Sequence, residues 1–232
     1  MLNNYLLFFL LFVFFLSSIL AQQIITLKKN NFITIDDTIN DSNVVKWSGQ
    51  LSKLTSNTIF IYIDSTGGSV DSGLQFINNM EWYIKRGKTI NCIVKSAYSM
   101  AFVILQYCSN RYVMSSSTLM QHQMSLNNIK GPMNNLMNYL EMIEMMSKEI
   151  DENVSKRLGI NLDDYRNKIK NDWWLTGSSA ISNGVVDSMV IVGCDVELYD
   201  TYTKQEDFVF NIDLDGNLEL KKNDIIKNMC PL

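Results

Sequence analysis

Apolar residues recur along this chain at two spacings, every second position in short runs and every third or fourth in longer ones, and the two kinds of segment alternate. Residues 58–64, Thr-Ile-Phe-Ile-Tyr-Ile-Asp, form a β-rich run. Residues 69–86 then place Val70, Leu74, Ile77, Met80 and Ile84 near a helical period, and 89–94 is β-rich again. Strand, helix, strand in that order predicts a right-handed crossover in a largely parallel sheet, hence an α/β fold. Upstream, 24–35 is predicted extended, and Val44, Val45, Trp47 and Leu51 suit an amphipathic helix over 42–54. Downstream, 99–107 is almost wholly apolar and predicts a buried helix, followed by two short strands at 111–114 and 118–121.

A long helix is predicted over 133–158, with Leu136, Leu140, Ile143, Met146 and Ile150 on one stripe and Glu141, Glu144, Lys148 and Glu149 opposite. That stripe either packs on the domain's own core or needs a partner surface, and the pattern leaves both open. From Gly193 the segments shorten, and 208–220 reads as a hairpin turning at Asp215-Gly216. The same residues loosely mimic a calcium loop, but Lys222 stands where a bidentate Glu is needed, so no metal is expected there.

The first 21 residues are an apolar run ending in small residues at Ala21, which predicts a cleaved export signal or, as the alternative, an uncleaved membrane anchor. The folded part is expected outside the cytosol, secreted or in a lumen or periplasm. Hydrophobic residues make up 47% and charged residues 19%, a globular balance. With a net charge of −4 and no Lys/Arg stripe, nucleic acid is not an expected partner. In an oxidising compartment the four cysteines can pair. Cys92 and Cys108 fall in apolar runs and are expected as buried free thiols, whereas Cys194 and Cys230 flank the C-terminal segment and are candidates for pairing. No cysteine spacing resembles a zinc site. Asn40-Asp-Ser and Asn153-Val-Ser are glycosylation sequons, meaningful only in a eukaryotic secretory pathway.

The chain has one histidine, His122, so any imidazole base must be this residue. Ser99 follows the extended segment Asn91-Cys-Ile-Val-Lys-Ser-Ala-Tyr98 and opens the buried helix, where free first-turn N–H groups can hold an oxyanion. An N-capping serine has the same placement. Gly67-Gly68 after the strand lets backbone approach a ligand, and is equally a common turn. Asp172, in Lys170-Asn-Asp-Trp-Trp-Leu-Thr176, supplies a carboxylate or merely caps or decorates a surface.

Four blocks occur in order: Ile63-Asp-Ser-Thr-Gly-Gly-Ser-Val70, Ala97-Tyr-Ser-Met-Ala101, Leu119-Met-Gln-His-Gln123, and Asn171-Asp-Trp-Trp-Leu-Thr-Gly-Ser-Ser-Ala180 with Gly184-Val-Val-Asp187. Together they resemble the proteolytic subunit family of the Clp proteases from about residue 33 to 190. The resemblance implies a crotonase-like spiral of ββα units with a peptidase domain over 22–192 and an extension over 193–232. It implies Ser99 as nucleophile, His122 as general base, Asp172 as orienting acid, and the Gly68 and Met100 N–H groups as oxyanion hole, with no cofactor. It further implies that 133–158 is the handle helix of a ring-like homo-oligomer, and that the substrate is a peptide or an unfolded protein. Thr66, Ala101, Met124 and Asn127-Asn128 depart from the family's proline, glycine, proline and paired glycines, which alters the groove. An unfolding ATPase is not expected as partner outside the cytosol. Two alternatives remain: a serine–lysine dyad of the signal-peptide-peptidase kind, for which Lys95 is the nearby lysine, and a non-catalytic scaffold on the same fold.

Overall fold

The computed structural model describes residues 22–126, 129–200, 202–212 and 218–232, and side chains throughout these except 202–228. The expected export segment 1–21, Asn127-Asn128 and the Asp215-Gly216 turn lie outside the described residues.

A sheet of seven strands carries the fold. In chain order the first five are β1 (Gln23–Leu27), β2 (Phe32–Ile35), β3 (Thr58–Ser65), β4 (Thr89–Tyr98) and β5 (Asn110–Gln121), followed by β6 (Trp173–Thr176) and β7 (Ser188–Cys194). The spatial order is β1-β7-β5-β4-β3-β2, with β6 attached to β5. Every pairing is parallel except β5 with β6. Helices fill the crossovers: α1 (Asp41–Ser52), α2 (Val70–Lys85), α3 (Met100–Gln106), α4 (Met133–Leu158), α5 (Leu162–Ile169), α6 (Gly177–Ser182) and α7 (Val196–Asp200). This is the α/β architecture with a parallel central sheet that the alternating pattern predicts.

The main core is made where the apolar faces of α1, α2 and α3 meet β2–β5, through Trp47, Leu51, Ile61, Phe76, Met80 and Phe102. A smaller cluster on β1 and β7 joins Leu27 and Val190 to Leu198 and Cys230. The helix α4 packs mainly by its C-terminal half, where Ile150, Val154 and Leu158 are buried and Met146 is partly buried against the core.

The structure corrects two expectations. The segments 111–114 and 118–121 are one strand, β5, with a register shift opposite Val94 and Ser96. Its three serines look like a break in the pattern, but the Ser117 hydroxyl accepts the Met114 N–H (2.7 Å) and donates to the Val94 carbonyl, carrying the ladder across the bulge. Cys92 and Cys108 are not free thiols but a disulfide, Cα atoms 5.9 Å apart. The burial that suggested thiols is what brings them together, because α3 returns its C-terminal end beside β4. Cys194 and Cys230 also pair and tie the C-terminus to β7. Farther on, the backbone of β8 (Tyr202–Ile212) pairs antiparallel with β9 (Leu218–Asn228).

Candidate active site

Three adjacent parallel strands end side by side, and the residues that follow each of them meet. The ladder pairs Ser65 of β3 with Ala97 of β4, and Tyr98 of β4 with Met120 of β5. Just beyond lie Gly67-Gly68, Ser99 and His122. Crevices outside the carboxyl ends of parallel strands are where α/β folds place ligands.

The local backbone at Ser99 is unusual. Its φ is 54° and ψ −122°, and it is the one non-glycine residue with positive φ among those described. The Ser99 N–H is held by the Met120 carbonyl (2.9 Å), which pins this elbow to β5. Ser99 precedes α3 in the N-cap position, yet its side chain makes no capping bond. The hydroxyl instead lies 2.9 Å from His122 Nε2, a hydrogen bond joining the two candidate residues.

Gly67 and Gly68 have φ of 92° and 149°, which a residue with a Cβ rarely adopts. Their turn lies directly against the elbow: a Cβ on Gly67 would stand 2.5 Å from the Tyr98 carbonyl oxygen and 2.8 Å from Ser99 Cβ. A parallel bridge to Ile39 uses the Gly67 carbonyl and the Ser69 N–H, so the Gly68 N–H points away from that bridge. Met100 is the first residue of α3, so its N–H has no intrahelical acceptor. The Gly67 turn abuts both Ser99 and the Met100 N atom.

Asp172 is the predicted residue that makes no contact with the others. It is exposed, and no hydrogen bond joins it to His122 among the described residues. It nevertheless precedes β6, whose antiparallel register sets Gln121 opposite Trp173. His122 and Asp172 each lie one residue beyond that last pair, on neighbouring chain segments. The flanking tryptophans fix the segment, Trp173 against Phe102 and Trp174 edge-on to Tyr98. Lys95 is engaged elsewhere, its Nζ bound to Asp64 at 2.8 Å.

A small cleft of ≈ 40 Å³ opens at Ser99 and His122, walled by Val70, Met100, Val103, Met124 and Ile150. Its floor holds a residue not anticipated from the sequence. Asp151 lines the cleft from α4, is buried, and accepts from Arg166 Nε at 3.0 Å. Burial pushes the Asp151 carboxyl up, and the Arg166 hydrogen bond and charge offset this only in part, leaving it above the usual carboxylate range. The signal was present in the sequence: Ser147, Asp151 and Ser155 recur every fourth residue beside the apolar stripe of α4, too polar to have been counted as an inward face. Among the described residues no cluster of His, Cys, Asp or Glu is arranged to hold a metal ion.

The Clp protease family model matches residues 18–192. Among curated proteins, ATP-dependent Clp protease proteolytic subunit 2 of Borreliella burgdorferi is 28% identical over 133 residues, covering 57% of this chain and 66% of that protein. Proteolytic subunit 1 of the same organism is 26% identical over 170 residues, covering 71% of this chain and 87% of that protein. A match over this span, on an α/β fold with a parallel central sheet, leads to one conclusion: the chain belongs to the Clp protease family.

Proposed function

We propose that this chain is a serine endopeptidase that hydrolyses peptide bonds in peptides or unfolded proteins. The observation that carries the reading is the uncapped, positive-φ Ser99 with its hydroxyl 2.9 Å from the chain's one imidazole. In the reaction, Ser99 Oγ attacks the scissile carbonyl carbon while His122 Nε2 takes its proton. The carbonyl oxygen becomes an oxyanion received by the Gly68 and Met100 N–H groups, each such donor being worth roughly 3 kcal/mol. Collapse of the tetrahedral intermediate breaks the C–N bond, and His122 returns the proton to the leaving amine. Water, activated by the same imidazole, then releases the acyl group from Ser99. Asp172 serves as the acid that orients Nδ1–H, reaching it by a side-chain rotation from its place just before β6. The serine–lysine alternative is disfavoured by the Lys95–Asp64 ion pair, which occupies the nearby amine.

Two further parts belong to the same reading. Export by residues 1–21 into an oxidising compartment accords with the two disulfides, and action there proceeds without an unfolding ATPase. Assembly into a homo-oligomer uses α4, whose N-terminal half leaves Met133, Met137, Tyr139 and Leu140 exposed among the described residues.

Ser99→Ala and His122→Ala are each expected to lower hydrolysis of an unstructured fluorogenic peptide by about 10³-fold or more, and Asp172→Asn by up to about 10⁴-fold. A fluorophosphonate should label Ser99 in the unsubstituted protein. Full activity in His122→Ala would reject the imidazole mechanism, and negligible turnover in the unsubstituted, assembled protein would favour a non-catalytic scaffold.

A further inference from the structure

The cleft beside Ser99 continues into a second cavity of ≈ 350 Å³, and Met124, Ser147 and Asp151 line both. The first is apolar along its walls. The second is polar, and its charged groups are Glu144 and Asp151 against Arg166.

We propose that this composite pocket selects lysine on the acyl side of the scissile bond, with Asp151 as the specificity-determining residue that receives the ammonium. The inference rests on the peptidase reading above. Of the cleft walls, Met100 carries one of the N–H groups proposed to receive the oxyanion and Val70 lies two residues beyond the other, so the cleft accommodates the side chain whose own carbonyl is attacked. Asp151 lines both spaces, so a long unbranched stem that enters beside Val70 and Met100 carries its terminal charge to that carboxylate.

Asp151 is set to bind such a tip. One carboxylate oxygen, Oδ2, accepts from Arg166 Nε, while Oδ1 accepts from no described residue. The side chain is only 12% exposed. A carboxylate has about four acceptor sites, so a buried one with a single partner keeps unfilled capacity facing the cavity. The surrounding charge favours a cation, because two carboxylates outnumber one guanidinium there. Lysine fits better than arginine, since one open oxygen suits a point charge and a guanidinium fork needs two. A glutamate at the same place would meet both carboxylates.

The test separates the pocket from the chemistry. Acetyl-Ala-Ala-Lys, acetyl-Ala-Ala-norleucine and acetyl-Ala-Ala-Glu, each with a free carboxylate, are the products of acyl-side cleavage. They are titrated by calorimetry into full chain carrying Ser99→Ala. The lysine peptide is expected to bind at least about tenfold more tightly than the norleucine peptide, as one hydrogen bond between charged groups implies. That preference should vanish in Ser99→Ala with Asp151→Asn, and widen in Ser99→Ala with Arg166→Gln, which frees the second oxygen. Equal or tighter binding of norleucine, no binding of any peptide, or a lysine preference that survives Asp151→Asn would overturn the proposal. If the Asp151 variant does not fold, the comparison of lysine with norleucine and the Arg166 variant still decide it. Hydrolysis of the matching amides by the unsubstituted chain is read separately. Lysine-dependent binding without turnover would keep the pocket and reject the peptidase reading, whereas turnover that favours norleucine would do the reverse.

Discussion

At the residue scale, the position that most distinguishes a site from a scaffold is Ser99, because its backbone works against stability. A non-glycine residue held at positive φ raises the folded-state energy by about 1–3 kcal/mol and persists only where surrounding structure imposes it. Here the imposing contacts are the Met120 carbonyl on the Ser99 N–H and the abutting Gly67 turn. Glycine removes that strain and alanine does not, although both remove the hydroxyl. Ser99→Gly should therefore be more stable than Ser99→Ala by about 1 kcal/mol in urea unfolding, with both inactive. Equal midpoints would mean that the elbow is unstrained and that its geometry has no bearing on reactivity. The sequence made Ser99 and His122 legible as candidates because each sits next to a strong element. It could not separate nucleophile from helix cap, since that choice depends on a dihedral angle and on a partner 23 residues away. Asp151 was hidden for the opposite reason, a carboxylate on a helix being solvated in most contexts.

Among elements, the long and strongly periodic ones were readable from the pattern. The helix over 133–158 has the bounds its stripe predicts, and α1 and α2 begin and end within two residues of expectation. The stretch from 161 to 200 was not resolved into α5, β6, α6, β7 and α7, because each is four to eight residues long and is held by tertiary pairing and not by its own period. One side chain shows how. Asp187, just before β7, accepts from the Arg111 backbone N–H at 2.7 Å and binds the Arg111 guanidinium, locking β7 onto β5. Burial pushes the Asp187 carboxyl up, but the Arg111 hydrogen bonds and charge outweigh it and hold the group below the usual carboxylate range. A carboxyl depressed in the folded state stabilises at pH values above its unfolded value of about 3.9. That stabilisation is lost as pH falls through the folded value. Asp187→Asn should therefore lower stability at pH 7 by about 1 kcal/mol, a figure kept small because the carboxylate is more than a third exposed. The gap between variant and parent should narrow below about pH 4. Urea midpoints at pH 7 and pH 3 provide the check, and a gap of constant size would show that charge is not what joins the strands.

For the whole molecule, the question left by the apolar stripe of α4 is where its far end goes. The stripe was legible in sequence, but its destination was not, because a buried face and a docking face have the same period. The structure divides the helix in two. Ile150, Val154 and Leu158 pack on the core, while Met133, Met137, Tyr139, Leu140, Met142 and Met145 are exposed over the first half. Large apolar side chains left exposed on one half of a helix mark an interaction surface, and a second copy of this chain is the occupant proposed above. Charge placed there should break assembly without unfolding the domain. Met137→Lys with Leu140→Glu is expected to lower the sedimenting mass at micromolar concentration, with far-UV circular dichroism unchanged. Because Ser147, Ile150 and Asp151 continue the same helix into the cleft beside Ser99, an unsupported α4 should also loosen the substrate wall. The dissociated protein is thus expected to hydrolyse peptide more slowly, through a higher KM, while fluorophosphonate labelling of Ser99 persists. An unchanged mass would assign the stripe to something other than self-association, and an unchanged KM in a dissociated protein would show that the cleft is held by the inner half of α4 alone.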